Sequence, residues 1–226
     1  PLIQAFAPHF TALISSGDDE ALAKQVRLAS QLMGALILPP SALIMFLSKP
    51  ILFTWMGSHT LADGAAPIMA VMVIGVALTA CSYPALSILY SRKQLRPVIT
   101  VNLVSLVVLL PLLMFAVTRF GVMGAAFTWG LYGLIIYVAY QGYGLRSIPK
   151  VGVFSSILQD FIAPCWASFL VGGMAGYLLR DVEGRMDFGV LLCFALIVGW
   201  LTALLACKDL RKIAIKKLKW RINVCF

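Results

Sequence analysis

Charge is what this chain lacks over most of its length. Six stretches, 28–48, 64–91, 97–118, 120–145, 161–179 and 188–207, contain no Asp, Glu, Lys or Arg. Intramembrane charges ordinarily mark proton, sodium or substrate pathways, so their absence removes any obvious ion site from these stretches. Acidic residues are scarce throughout, 9 against 18 basic ones. The cysteines at 81, 165, 193, 207 and 225 form no CxxC and join no Cys/His cluster. They read as small apolar fillers, not as a metal centre or a disulfide framework, and no cofactor is expected. GxSxG, HExxH and Walker sequences are missing. The loops on the weakly charged side are short, which leaves little room for the acids, Arg or His of a membrane glycosyltransferase or polymerase. A signal peptide and an initiating methionine are also lacking. The opening "PLIQAFAPHF" reads as the end of a hydrophobic span cut off upstream.

What remains is apolar: 61% of the 226 residues are hydrophobic and 12% charged. Each uncharged stretch has about the ~20 residues that a helix needs to cross a ~30 Å hydrocarbon core, or more. With no water in that core the backbone must bond to itself, so helices are expected. The predicted fold is all-α: a polytopic transmembrane bundle with six full spans and a truncated N-terminal span. Assigning alternate loops to alternate sides puts 14 Lys and Arg on one face and 4 on the other. The positive-inside rule makes the richer face cytoplasmic, together with the basic tail 208–226. Seven basic residues crowd that tail. They serve as a topological anchor or as a site for anionic headgroups of membrane lipids. This placement, beside spans, explains the net charge of +9 without nucleic acid.

Local signals refine the picture. Ser16 with Asp19 fits an N-cap, Asp18, Asp19 and Glu20 suit a first turn, and Glu20 and Lys24 are spaced for an i,i+4 pair. A helix is therefore expected to start in the cytoplasm and run on into the first full span. The segment 49–63, with Phe53, Trp55 and Leu61, is expected in the interface. Pro39 and Pro40 should kink or locally open their span, and Pro84, Pro111 and Pro164 are further candidates. The alternatives are a cavity lined by freed carbonyls or a packing kink alone. Gly172 and Gly176, Gly121 and Gly124, and Gly130 and Gly133 permit close helix approach.

Polar side chains within the spans are the remaining candidates for a substrate path. Tyr83, Ser87 and Tyr90 share a face by their spacing, as do Asn102 and Ser105. Thr128, Trp129, Tyr132, Tyr137, Tyr140 and Gln141 follow in a later span. Aromatic faces with hydroxyl and amide groups suit sugars, but Trp and Tyr are also ordinary residues of the headgroup belt. His9 is read as structural.

Three segments together resemble a known family. They are "PLIQAFAPHFTALISSGDDEALAKQVRLASQLMGALILPP", with a GD-type cytoplasmic helix between two spans, "LYSRKQLRPVITVNLVSLVVLLPL", a basic loop before an Asn-containing span, and "RFGVMGAAFTWGLYGLIIY", a GxxGAA span start. Their order is similar to the polysaccharide (O-antigen-type) flippases of the multidrug/oligosaccharidyl-lipid/polysaccharide exporter superfamily. The resemblance implies two pseudo-symmetric bundles, 12 to 14 helices in all, around a central cavity, with this chain the C-terminal part. It implies alternating-access transport of an undecaprenyl-pyrophosphate-linked oligosaccharide across the cytoplasmic (inner) membrane. Its implied partners are that lipid-linked substrate, the missing N-terminal half and the polysaccharide polymerase machinery. It also implies no enzymatic activity. Family cavities are often cationic, whereas these spans carry no Lys or Arg. Anchoring charge would come from the other half, or from a rim of Arg92, Lys93 and Arg96. The substrate-path candidates are then Arg92, Lys93, Arg96, Tyr83, Asn102, Trp129 and Tyr132. A multidrug-type cation exporter, a lipid II flippase and a membrane enzyme of glycan synthesis remain alternatives.

Overall fold

The computed structural model describes residues 2–148, 161–179, 185–207 and 209–211. The tail from 212 on and the loop around Lys150 lie outside the described residues, as does part of the loop 180–187. Among the described residues the chain is helical, without strands. The elements are α1 (Leu2–Ser16), α2 (Asp19–Phe46), α3 (Ser48–Met56), α4 (His59–Ser91), α5 (Leu95–Phe120), α6 (Val122–Arg146), α7 (Ala163–Leu178) and α8 (Arg185–Ala206). Five of them, α2, α4, α5, α6 and α8, are long and apolar enough to cross a membrane. The protein is thus a multi-pass membrane protein with an all-α bundle. The stretch at 161–179 forms the shorter α7, of 16 residues, after a π-helical turn at Phe161 and Ile162.

The helix expected to begin before the first span does so, but its cap lies two residues beyond the serine expected to cap it. Asp18, not Ser16, accepts from the Ala21 N–H at 2.9 Å, while the Ser16 hydroxyl turns back to the Leu13 carbonyl. Gly17 explains the shift. It sits at φ +71° between α1 and α2, a conformation open to glycine at little steric cost, so α2 starts beyond it. Of the first-turn acids, Asp19 makes an ion pair, with Arg92; the Glu20–Lys24 pair does not form. The segment 49–63 is helical almost throughout, as α3 and the start of α4, joined at Gly57 in the left-handed conformation. Trp55 there is 84% exposed, as an interfacial anchor would be.

Pro39 and Pro40 do not end α2, which continues to Phe46. Pro40 has no N–H for the Leu36 carbonyl, the acceptor one turn back. The Trp200 indole of α8 donates to that carbonyl instead, at 3.3 Å. Gly199 makes room for this approach: a methyl group there would stand 3.1 Å from Pro39 Cβ.

Contacts order the bundle around α2 and α4. The tightest pair is α4 with α6; α5 lies outside on α6, while α7 and α8 pack on the other flank of α2. Small residues set these approaches. A methyl on Gly75 would lie 2.7 Å from the Trp129 carbonyl oxygen, and one on Gly144 2.7 Å from that of Ala85. Gly133 faces Gly75 directly, and Gly172 and Gly176 face Ala42 and Phe46 of α2. The GxxxG pair thus packs α7 on α2, and Gly133 rather than Gly130 faces the α4 backbone. At one end of the bundle, Phe10, Leu22, Val26, Ile88, Leu145 and Ile148 form an apolar cluster. Leu43, Leu47, Leu179 and Phe188 form one at the other. The start of α2 and the ends of α4 and α6 therefore share an end, as the charge pattern requires.

Candidate substrate-path groove

Two of the three spans at the α5 side of the bundle meet α6 closely, but α4 and α5 touch each other sparingly. Val98 and Val101 of α5, Ala85 and Leu89 of α4, and Ile136 and Tyr140 of α6 share one cluster. The α6 face bearing Tyr132, Ile136 and Tyr140 thus packs between α4 and α5, with Ile136 and Tyr140 buried there. Helical spacing places Tyr83, Leu86 and Tyr90 on one stripe of α4. Leu86 joins that shared cluster, and Tyr83 and Tyr90 are exposed beside it, at 43% and 53%. Ser87, expected on the same face, is buried instead.

A neutral polar pair joins α5 to α6 beside this cluster. Asn102 of α5 donates through Nδ2 to the Tyr140 hydroxyl and to its own Val98 carbonyl, both at 2.8 Å. An amide in an apolar setting is costly unless bonded, and this geometry satisfies its donors. Its Oδ1 accepts from none of the described residues, and the side chain stays accessible. Tyr132 and Tyr90 are near enough to Tyr140 to interact electrostatically with its phenol. Trp129 lies one turn before Tyr132, their rings 5.6 Å apart and tilted by 41°. Trp129 is 44% exposed and Tyr132 half-buried. Of the sequence-derived candidates, Trp129 and Tyr132 are thus paired on α6, Asn102 bonds Tyr140 two turns further along that helix, and Tyr83 lies exposed on α4. Asn102 and Ser105 differ: the Ser105 hydroxyl is buried with no hydrogen bond.

The basic candidates divide. Arg92, just past α4, reaches Asp19 at the start of α2, 3.3 Å away; its side chain is 21% exposed. It ties two helices together and is not a free rim charge. Lys93 in the turn after α4 and Arg96 in the first turn of α5 are exposed and make no ion pair among the described residues. Lys93 takes the left-handed conformation, φ +56°, unusual for a residue with a Cβ. Of the three cations expected at a rim, Lys93 and Arg96 are thus the exposed ones, at the same end of the bundle as Tyr90.

Three residues escaped the sequence reading. Gln31 of α2 is 1% exposed and clamps Asp209 both ways: its Nε2 donates to Oδ2 at 3.0 Å, and its Oε1 accepts from the Asp209 N–H at 3.2 Å. A lone amide in an uncharged span was visible as a signal, but its partner 178 positions away was not. Trp200 was indistinguishable from a belt residue. Of the described cysteines, Cys81 and Cys207 are buried, Cys165 is half-buried and Cys193 is exposed. Comparison of the chain with protein families, with curated proteins and with solved structures finds no match.

Proposed function

We propose that this chain is part of a transporter that moves an undecaprenyl-pyrophosphate-linked oligosaccharide across the cytoplasmic membrane by alternating access. The observation that carries the reading is the set of uncharged polar and aromatic side chains on α4, α5 and α6, Tyr83, Tyr90, Trp129, Tyr132 and Asn102, with the exposed cations Lys93 and Arg96 at one end. Hydroxyls, an amide and aromatic faces match the hydroxyl-rich faces of sugars. Two cations at one end match a pyrophosphate. The lack of intramembrane carboxylates fits an anionic cargo better than a cationic drug. The family resemblance of the three sequence segments points the same way.

The test is complementation of a strain deprived of its lipid-linked oligosaccharide flippase, using the full-length protein. Trp129→Ala with Tyr132→Ala should lower surface polymer at least tenfold at equal protein abundance. Lys93→Gln with Arg96→Gln should do so to a lesser degree. Arg92 is left intact, because its loss would strand Asp19. Unchanged polymer in both variants would sink the reading. Efflux of cationic dyes by the wild-type protein, without polymer, would favour a cation exporter instead.

A further inference from the structure

We infer that Trp200 is a latch on a hinge in α2, holding the helix at its proline pair by replacing the missing backbone donor. The inference is independent of the cargo. Tandem prolines at 39 and 40 remove two consecutive i→i−4 bonds from a membrane-spanning helix. In water a released carbonyl would be solvated, but in hydrocarbon it must find a protein donor. For Leu36 that donor is the Trp200 indole N–H at 3.3 Å. The neighbouring Gly199 is in contact with Pro39, so α8 is seated directly on the break.

The break also divides the contacts of α2. On its N-terminal side, Ala35 clusters with Ala203 and Cys207 of the α8 end, and Gln31 clamps Asp209. On its C-terminal side, Ala42 and Phe46 press against Gly172 and Gly176 of α7, and Leu43 joins Ala175, Leu179 and Ala195. Thus α8 runs along both halves of α2, through Ala203 and Cys207 on one side of the break and Ala195 on the other, while the glycines of α7 meet the C-terminal half, and the proline pair between the halves lacks two backbone bonds. An indole bond is a reversible tie at that point. When it is made, α2 holds the observed course. When it is released, the C-terminal part of α2 can bend together with α7. Ser41 next to the prolines also bonds back to the Ile37 carbonyl at 2.8 Å, a contact that accompanies helix bending.

A double-mutant cycle on the full chain in lipid nanodiscs tests this, read by amide hydrogen exchange over 36–44. Trp200→Phe keeps an aromatic ring and removes the donor. It should speed exchange there by about threefold, the size of an average interhelical hydrogen bond in a membrane. Pro40→Ala restores an N–H that can bond to the Leu36 carbonyl within α2, making the indole redundant. In the Pro40→Ala background, Trp200→Phe should therefore change exchange by less than about twofold. An equal effect of Trp200→Phe in both backgrounds would reduce Trp200 to a packing residue and overturn the latch. No effect in either background would overturn it as well. Should Trp200→Phe fail to fold, rescue of folding by Pro40→Ala supports the latch and failure to rescue refutes it.

Discussion

A methyl group on Gly75 should push α4 and α6 apart. The built methyl would stand 2.7 Å from the Trp129 carbonyl oxygen, 2.9 Å from Trp129 Cδ1 and 3.0 Å from Gly130 Cα. Non-bonded carbons rest at ~3.5–4.0 Å, so the helices must separate by roughly 0.5–1 Å. Two of the three obstacles are backbone, which cannot rotate away. Overpacking of this kind costs about 1–3 kcal/mol. Alanine also gains ~0.5–1 kcal/mol over glycine within a helix, so Gly75→Ala alone would show a net loss of roughly 0.5–2 kcal/mol. Gly142 of α6 provides the control, since a methyl there meets nothing within 4 Å. Gly142→Ala keeps the helix gain without the clash, so the difference between the two variants isolates the clash. Gly144, two residues on, repeats the experiment, because its methyl would meet Ala85. Equilibrium unfolding in mixed SDS micelles, followed by far-UV circular dichroism, gives the stabilities. If Gly75→Ala and Gly144→Ala are as stable as Gly142→Ala, α4 and α6 do not meet through these glycines.

Three further outcomes follow from the described contacts. Asp18→Ala should cost ~1 kcal/mol through loss of the α2 cap, whereas Ser16→Ala should stay within ~0.5 kcal/mol, both measured by the same unfolding assay. Gln31→Leu removes both bonds to Asp209, and should speed hydrogen exchange at Cys207 and at 209–211 while leaving α5 unchanged. In a cysteine-free background, a membrane-impermeant maleimide should label Trp55→Cys in intact cells, and Lys93→Cys only after permeabilisation. The reverse pattern would overturn the charge-based orientation.

The helical elements were legible because they rest on two robust signals. The absence of charge marks where helices can lie in lipid, and alternating Lys and Arg mark which ends they share. The start of α2 before its span was legible from its acids, but its cap was misplaced by two residues because Gly17 was not weighed as the turn. The polar and aromatic residues of α5 and α6 were partly legible. Asn102, Tyr132 and Trp129 stand out as polar or aromatic groups in apolar runs, and sequence alone assigns them to helix faces. Which faces meet depends on α6 lying between α4 and α5, a tertiary fact set by Gly75, Gly133 and Gly144. The rim was misjudged for the same reason. Arg92, Lys93 and Arg96 look equivalent in "SRKQLRP", yet only Arg92 comes within reach of Asp19, 73 positions away.

A bundle without intramembrane charge must fix its register by neutral contacts, and three of these join separate elements. Asn102 with Tyr140 ties α5 to α6, Trp200 with the Leu36 carbonyl ties α8 to α2, and Gln31 with Asp209 ties α2 to the residues after α8. Interhelical hydrogen bonds in membranes are worth only ~0.6 kcal/mol on average. They cannot hold the bundle alone, and the glycine approaches must supply most of the packing. That weakness suits a moving protein. A bond worth about one RT breaks and reforms readily, whereas a buried ion pair that loses one partner leaves an uncompensated charge costing ~3–5 kcal/mol. The full ionic tie between α2 and α4, Arg92 with Asp19, sits instead at the end of the bundle, where solvent can take over either charge. The proline break in α2 lies between that tie and the α7 contacts. Bending there would redistribute neutral bonds within the bundle and leave its ion pair in place.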